Sequence, residues 1–109
     1  LQKNESGYQK AGDIYFSKKN YDKAFEAYYA GNNFAGLKKY ADQLASEGKT
    51  PEAEQMYGKV ADAYINKDNK PAVGKLAEEQ IAKSNYGLAA TLYDKIGEDV
   101  KASKYKAYN

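Results

Sequence analysis

Apolar residues recur along this chain at spacings of three and four, as in Tyr8, Ala11, Gly12 and Tyr15 and again in Ala24, Ala27 and Tyr28. That periodicity belongs to helices with one buried face. No segment alternates apolar and polar residues in steps of two between hairpin turns, so no strand is expected. The pattern predicts helices over about 5–17, 21–30, 34–46, 51–66, 71–82 and 86–96, and a short last helix over 101–108. Turn-forming residues separate them: Lys18-Lys19-Asn20, Gly31-Asn32-Asn33, Glu47-Gly48-Lys49-Thr50-Pro51, Lys67-Asp68-Asn69-Lys70, Lys83-Ser84-Asn85 and Gly97-Glu98-Asp99. Asn20, Thr50 and Asn85 are expected to cap the helices that follow through their side-chain oxygens, with Pro51 at a first helical position. Gly31 reads as a helix C-terminal signal.

The same unit occurs three times. A small residue is followed twelve positions later by another, in Gly12 to Ala24, Ala41 to Ala53 and Ala77 to Ala89, and four positions after each pair comes Tyr28, Tyr57 or Tyr93. Two helices joined by a tight turn can approach closely only where the facing side chains are Gly or Ala, so Gly12 is expected to face Ala24, and Ala41 to face Ala53. The three tyrosines then fill the space between one hairpin and the next, with the hydroxyl directed to a polar partner or water. One hairpin cannot bury that face alone, whereas a stack of three can. The predicted hairpins are 5–31, 33–67 and 70–97, with 99–109 as a C-terminal cap, all in a single domain, 1–109.

Composition narrows the chemistry. Ala and the 12 Tyr supply much of the apolar content, so the expected core is thin and depends on the regular placement just described. All 17 basic residues are Lys, and the chain has no His, Cys, Arg or Trp. It therefore has no imidazole base, thiolate nucleophile or soft metal site, and an enzyme is not expected. Without Arg it also lacks the bidentate fork favoured for phosphate and guanine. A net charge of +2, with Lys and acids interleaved, makes no basic stripe for nucleic acid. No apolar run approaches the length of a membrane helix, and residues 1–10 are polar, so neither insertion nor targeting is expected from them. A chain beginning at Leu1 is read as a processed or excised segment; membership of a longer chain or of a homo-oligomer is a separate expectation.

At these repeated positions the chain resembles the tetratricopeptide repeat (TPR) family of helical hairpins. Tyr8, Ala11, Gly12, Tyr15, Ala24 and Tyr28 match a first repeat; Tyr40, Ala41, Leu44, Ala53 and Tyr57 a second; Leu76, Ala77, Ala89 and Tyr93 a third, with Gln80 in place of an aromatic residue. The resemblance implies an all-α, TPR-like right-handed stack of three antiparallel helical hairpins (an alpha-alpha superhelix) plus a short C-terminal helix. The family period is about 34 residues, but Ala24 to Ala53 spans 29 and Ala53 to Ala89 spans 36, so irregular curvature is expected.

The resemblance further implies a scaffold that binds a protein or peptide partner along a concave face. Carried across position by position, that face presents Gln9, Asp13 and Phe16, then Lys38, Asp42 and Ala45, then Gly74, Glu78 and Ile81. Gln9, Asp13, Phe16, Lys38, Asp42, Glu78 and Ile81 are thus the candidate partner-binding residues. Some members of the family clamp a C-terminal carboxylate with Lys, Asn and Arg. Gln9 and Asp13 stand where that clamp requires Lys and Asn, so it is not expected here. The alternative to a scaffold is a structural spacer or oligomerisation segment of a longer solenoid.

Other motifs read as structure. Glu78-Glu79 lie on different helix faces, and Glu52 and Glu54 favour a helix N-terminus. Residues 66–69 lack the Gly and terminal Glu of a calcium loop. Gly12, Gly31 and Gly36 make no phosphate-binding loop, and no cofactor is expected. Tyr29, beside the packing Tyr28, is the candidate for an outward-facing ring.

Overall fold

The computed structural model describes residues 5–108, and the ends of the two terminal segments, residues 1–4 and 109, lie outside the described residues. Among the described residues there are eight α-helices and no strand: α1 (Glu5–Ser17), α2 (Tyr21–Ala30), α3 (Phe34–Leu37), α4 (Lys39–Ser46), α5 (Thr50–Asn66), α6 (Lys70–Ala82), α7 (Tyr86–Lys95) and α8 (Asp99–Lys106). None is long and apolar enough to cross a membrane.

One turn serves six times. After α1, α2, α4, α5, α6 and α7 the chain reverses through three residues, and the middle one has a left-handed backbone: Lys19 (φ 61°), Asn32 (57°), Gly48 (78°), Asp68 (60°), Ser84 (64°) and Gly97 (75°). The third residue of each turn donates its N–H to the carbonyl five positions back, on Tyr15, Tyr28, Leu44, Tyr64, Gln80 and Tyr93, at 2.8–3.0 Å. This is the Schellman closure, which satisfies carbonyls that a helix end leaves open. Gly31 is the C-cap of α2, as expected, at φ −92°, and Asn32 takes the left-handed position. Two capping expectations are corrected. Asn20 and Asn85 make no side-chain cap to the next helix; Asn85 instead donates its side-chain amide to Gln80 Oε1 at 3.0 Å. Thr50 is already the first residue of α5, with the Lys49 carbonyl accepting from Ala53, so Pro51 is its second residue. Asn33 is the residue whose side chain does cap, accepting from Gly36 N–H at 3.0 Å.

The helix expected over 34–46 is interrupted. Gly36 and Leu37 are buried in α3, and the N–H of Lys38 turns to the Gly36 carbonyl, after which the Lys38 carbonyl starts α4 by accepting from Asp42 at 2.9 Å. Gly36 lies against the Tyr28 ring: an added Cβ would be 2.6 Å from it, so this position has room only for a glycine.

The chain divides into two compact units, Leu1–Tyr57 and Gly58–Asn109, with α5 running through the division. In the first, α1 packs along α2 and α2 against α3. Its core is Ala24, Ala27, Tyr28, Leu37, Ala41, Leu44, Ala53 and Tyr57. In the second, α6 packs on α7 and α7 on α8, around Val73, Leu76, Ala77, Leu88, Ala89, Leu92, Tyr93 and Ala102. All six small residues of the repeat are buried. The atoms nearest to Gly12 are those of the Tyr28 ring: a Cβ there would clash with ring atom Cε1. A glycine is needed because an aromatic ring, larger than the alanine expected opposite it, covers the backbone.

Candidate functional site

Each repeated tyrosine has an acidic residue fifteen positions before it, directly after the first small residue: Asp13 with Tyr28, Asp42 with Tyr57 and Glu78 with Tyr93. A small residue that admits the ring thus puts the next side chain, one position along the helix, near the ring's hydroxyl. In the first unit both pairs close. The Tyr28 hydroxyl donates to Asp13 Oδ1 at 2.6 Å, and the Tyr57 hydroxyl donates to Asp42 Oδ1.

Lys39, from α4, completes the first pair. Its ammonium donates to Asp13 Oδ1 at 3.1 Å and to the Tyr28 oxygen at 3.3 Å, while lying 5.4 Å from the Tyr28 ring centroid and 5.6 Å from that of Phe16. The hydrogen bonds from Tyr28 and then Lys39 hold the Asp13 carboxyl below the usual carboxylate value. Burial, then the bond to Asp13, pushes the Tyr28 hydroxyl up. Burial of the Lys39 ammonium opposes its charge, but its hydrogen bonds to Asp13 and Tyr28 outweigh that and leave it above the ordinary lysine value.

The third pair is built differently. Tyr93 is 3% exposed, yet among the described residues its hydroxyl makes no hydrogen bond, and its oxygen is not sealed from solvent. Burial pushes that hydroxyl up, followed by the negative charge of Glu78. It belongs to a groove of about 310 Å³ between α6, α7 and α8, lined by Glu78, Ile81, Tyr93, Lys101, Lys104 and Tyr105. Lys101 lies 5.6 Å from the Tyr93 ring centroid and Lys104 lies 5.3 Å from that of Tyr105. The nearby Lys95 and Lys106 are paired with Asp62 and Asp94, each at 2.9 Å. Lys101 and Lys104 have no carboxylate within 4.0 Å among the described residues. The wall is continued by Tyr86 and the 55%-exposed Tyr108, whose ring centroids lie 6.0 and 5.4 Å from that of Tyr105.

The seven candidate residues therefore fall into three situations. Glu78 and Ile81 line this groove together. Asp13 and Phe16 meet at Lys39, and Phe16 also packs edge-on against Tyr21 at 5.3 Å. Gln9 is exposed on α1, the half-buried Lys38 sits at the α3–α4 break, and half-buried Asp42 is engaged by Tyr57. Tyr29, expected outermost, is half-buried. A larger groove of about 540 Å³ lies between α1 and α2, lined by Tyr8, Ala11, Tyr15, Ala27 and neighbours, and it contains none of the seven. Tyr93, Lys101, Lys104 and Tyr105 join the site without a sequence prediction. The signal for Tyr93 is the acid-to-tyrosine offset; α8 carries no repeat from which its lysines could be placed.

Among the described residues no group of three or more His, Cys, Asp or Glu is placed to hold a metal ion. Compared with known proteins, the chain matches no family model, no curated sequence and no solved structure.

Proposed function

We propose that this chain is a helical-repeat interaction scaffold of the TPR-like, right-handed kind, which binds a protein or peptide partner and catalyses no reaction. The observation that carries this reading is the groove between α6, α7 and α8, where Glu78 and Ile81 stand beside two tyrosine rings and two lysines. Apolar rings flanked by lysines suit a peptide side chain better than a reaction, which calls for a base or nucleophile held against a second reactive group. Hairpin arrays offer broad surfaces for such contacts.

A photo-crosslinking residue in place of Ile81, with one at exposed Thr91 on α7 as control, tests it in cells. The reading expects a discrete crosslinked partner from position 81 and none from 91. Equal labelling from both positions, or none from either, contradicts it. The alternative of a spacer or self-association segment is favoured by the exposed Ile14 and Val100, 55% and 85% accessible. In that case the crosslinked species is a second copy of this chain.

A further inference from the structure

The two units hold the same pair of residues in two conditions. In the first, a buried tyrosine, Tyr28, and a lysine 5.4 Å from its ring centroid, Lys39, converge on one carboxylate oxygen. In the second, Tyr93 is as buried and Lys101 lies 5.6 Å from its ring centroid, but the acid at the matching position, Glu78, forms no bond to either. Glu78 carries one methylene more than Asp13 and lines the groove beside Tyr93 and Lys101.

Charge is distributed to match. Residues 1–57 hold eight Lys and eight acids, whereas residues 58–109 hold nine Lys and seven acids, so the whole net charge of +2 lies in the second unit. Lys101 and Lys104, both facing the groove, are lysines without a carboxylate partner there.

We propose that this groove binds an aspartate or glutamate side chain of an acidic partner segment. The guest carboxylate accepts from the Tyr93 hydroxyl and from Lys101, reproducing what Asp13 does with Tyr28 and Lys39. Lys104 meets a second acid of the same segment, and Ile81 and Tyr105 pack against its aliphatic stem. A hydroxyl and an ammonium on one carboxylate make charge-assisted bonds, which are stronger than neutral ones. Glu78 opposes the guest, which sets the affinity low and makes it adjustable. This inference rests on the scaffold reading and specifies the chemistry of the partner.

The test is an NMR titration of the full chain with an N-acetylated, C-amidated oligo-glutamate peptide, against the matching oligo-glutamine peptide. Shifts are expected around Tyr93, Lys101 and Lys104 with oligo-glutamate only, weakening with added salt. Tyr93→Phe should weaken binding about fivefold, allowing for the open groove, and Lys101→Gln by a similar factor. Glu78→Gln should strengthen it. Tyr93→Phe removes a hydroxyl that no described residue uses, so the fold is kept; circular dichroism verifies this. Equal shifts from oligo-glutamine, no shifts from either peptide, or binding indifferent to Tyr93→Phe and Lys101→Gln overturns the proposal. If the peptide fails while position 81 still crosslinks a partner, the carboxylate chemistry falls and the scaffold stands; if position 81 crosslinks nothing, the scaffold reading itself falls.

Discussion

Alanine should have opposite effects at two helical glycines. At Gly12 the new methyl would clash with the Tyr28 ring, which Gly36 also approaches closely. Overpacking of that kind costs about 2 kcal/mol, so Gly12→Ala should lower the urea midpoint clearly. At Gly58, in α5, an added Cβ meets nothing within 4 Å, and Gly58→Ala should stabilise by up to about 1 kcal/mol through helix propensity alone. The Asp13 carboxylate adds a pH-dependent contribution. Its value is lowered in the folded protein, so its stabilisation is present above the ordinary value of 3.8 and is lost as pH falls through the lowered one. Since Asp13 is 47% exposed, Asp13→Asn should cost only about 1 kcal/mol at neutral pH. Wild type and variant should converge in urea titrations run progressively below pH 3.8.

Among the elements, the six shared turns are where local sequence and backbone disagree. Gly48 and Gly97 suit the left-handed position, while Lys19, Asn32, Asp68 and Ser84 occupy it at φ between 57° and 64°. For an ordinary side chain that conformation costs about 1–2 kcal/mol, part of which glycine gives back through the entropy of its unfolded chain. Ser84→Gly should therefore raise stability by about 0.5 kcal/mol, and Gly97→Ala should lower it by about 1 kcal/mol, both readable as shifts in thermal midpoint. Helix positions are legible in the sequence to within a residue or two because apolar spacing and turn residues agree. The caps are less so: Asn20, Asn33 and Asn85 all donate the backbone N–H to the preceding helix, yet of the three the side chain of Asn33 caps the next helix while those of Asn20 and Asn85 do not. The break at Lys38 follows Gly36, a poor helix former that the apolar spacing alone passes over.

Across the whole molecule, the repeat is the feature the sequence reveals best, and its meaning changes once side chains are placed. Asp13, Asp42 and Glu78 are conspicuous as polar residues on a helical face, and a family resemblance makes them candidates for a partner. Two of the three spend their hydrogen-bonding capacity on Tyr28 and Tyr57; only Glu78 stays in an open groove. Spacing along one helix cannot reveal that division, because it depends on a side-chain length and on two lysines from α8. A tyrosine hydroxyl is thus tied to a carboxylate in the first two repeats, and in the third it bonds to no described residue. Equilibrium urea unfolding of Tyr28→Phe, Tyr57→Phe and Tyr93→Phe tests it directly. The expected losses are about 1 kcal/mol for each of the first two and within about 0.3 kcal/mol of zero for the third; a Tyr93→Phe loss equal to the others, or no loss from Tyr28→Phe and Tyr57→Phe, would contradict it.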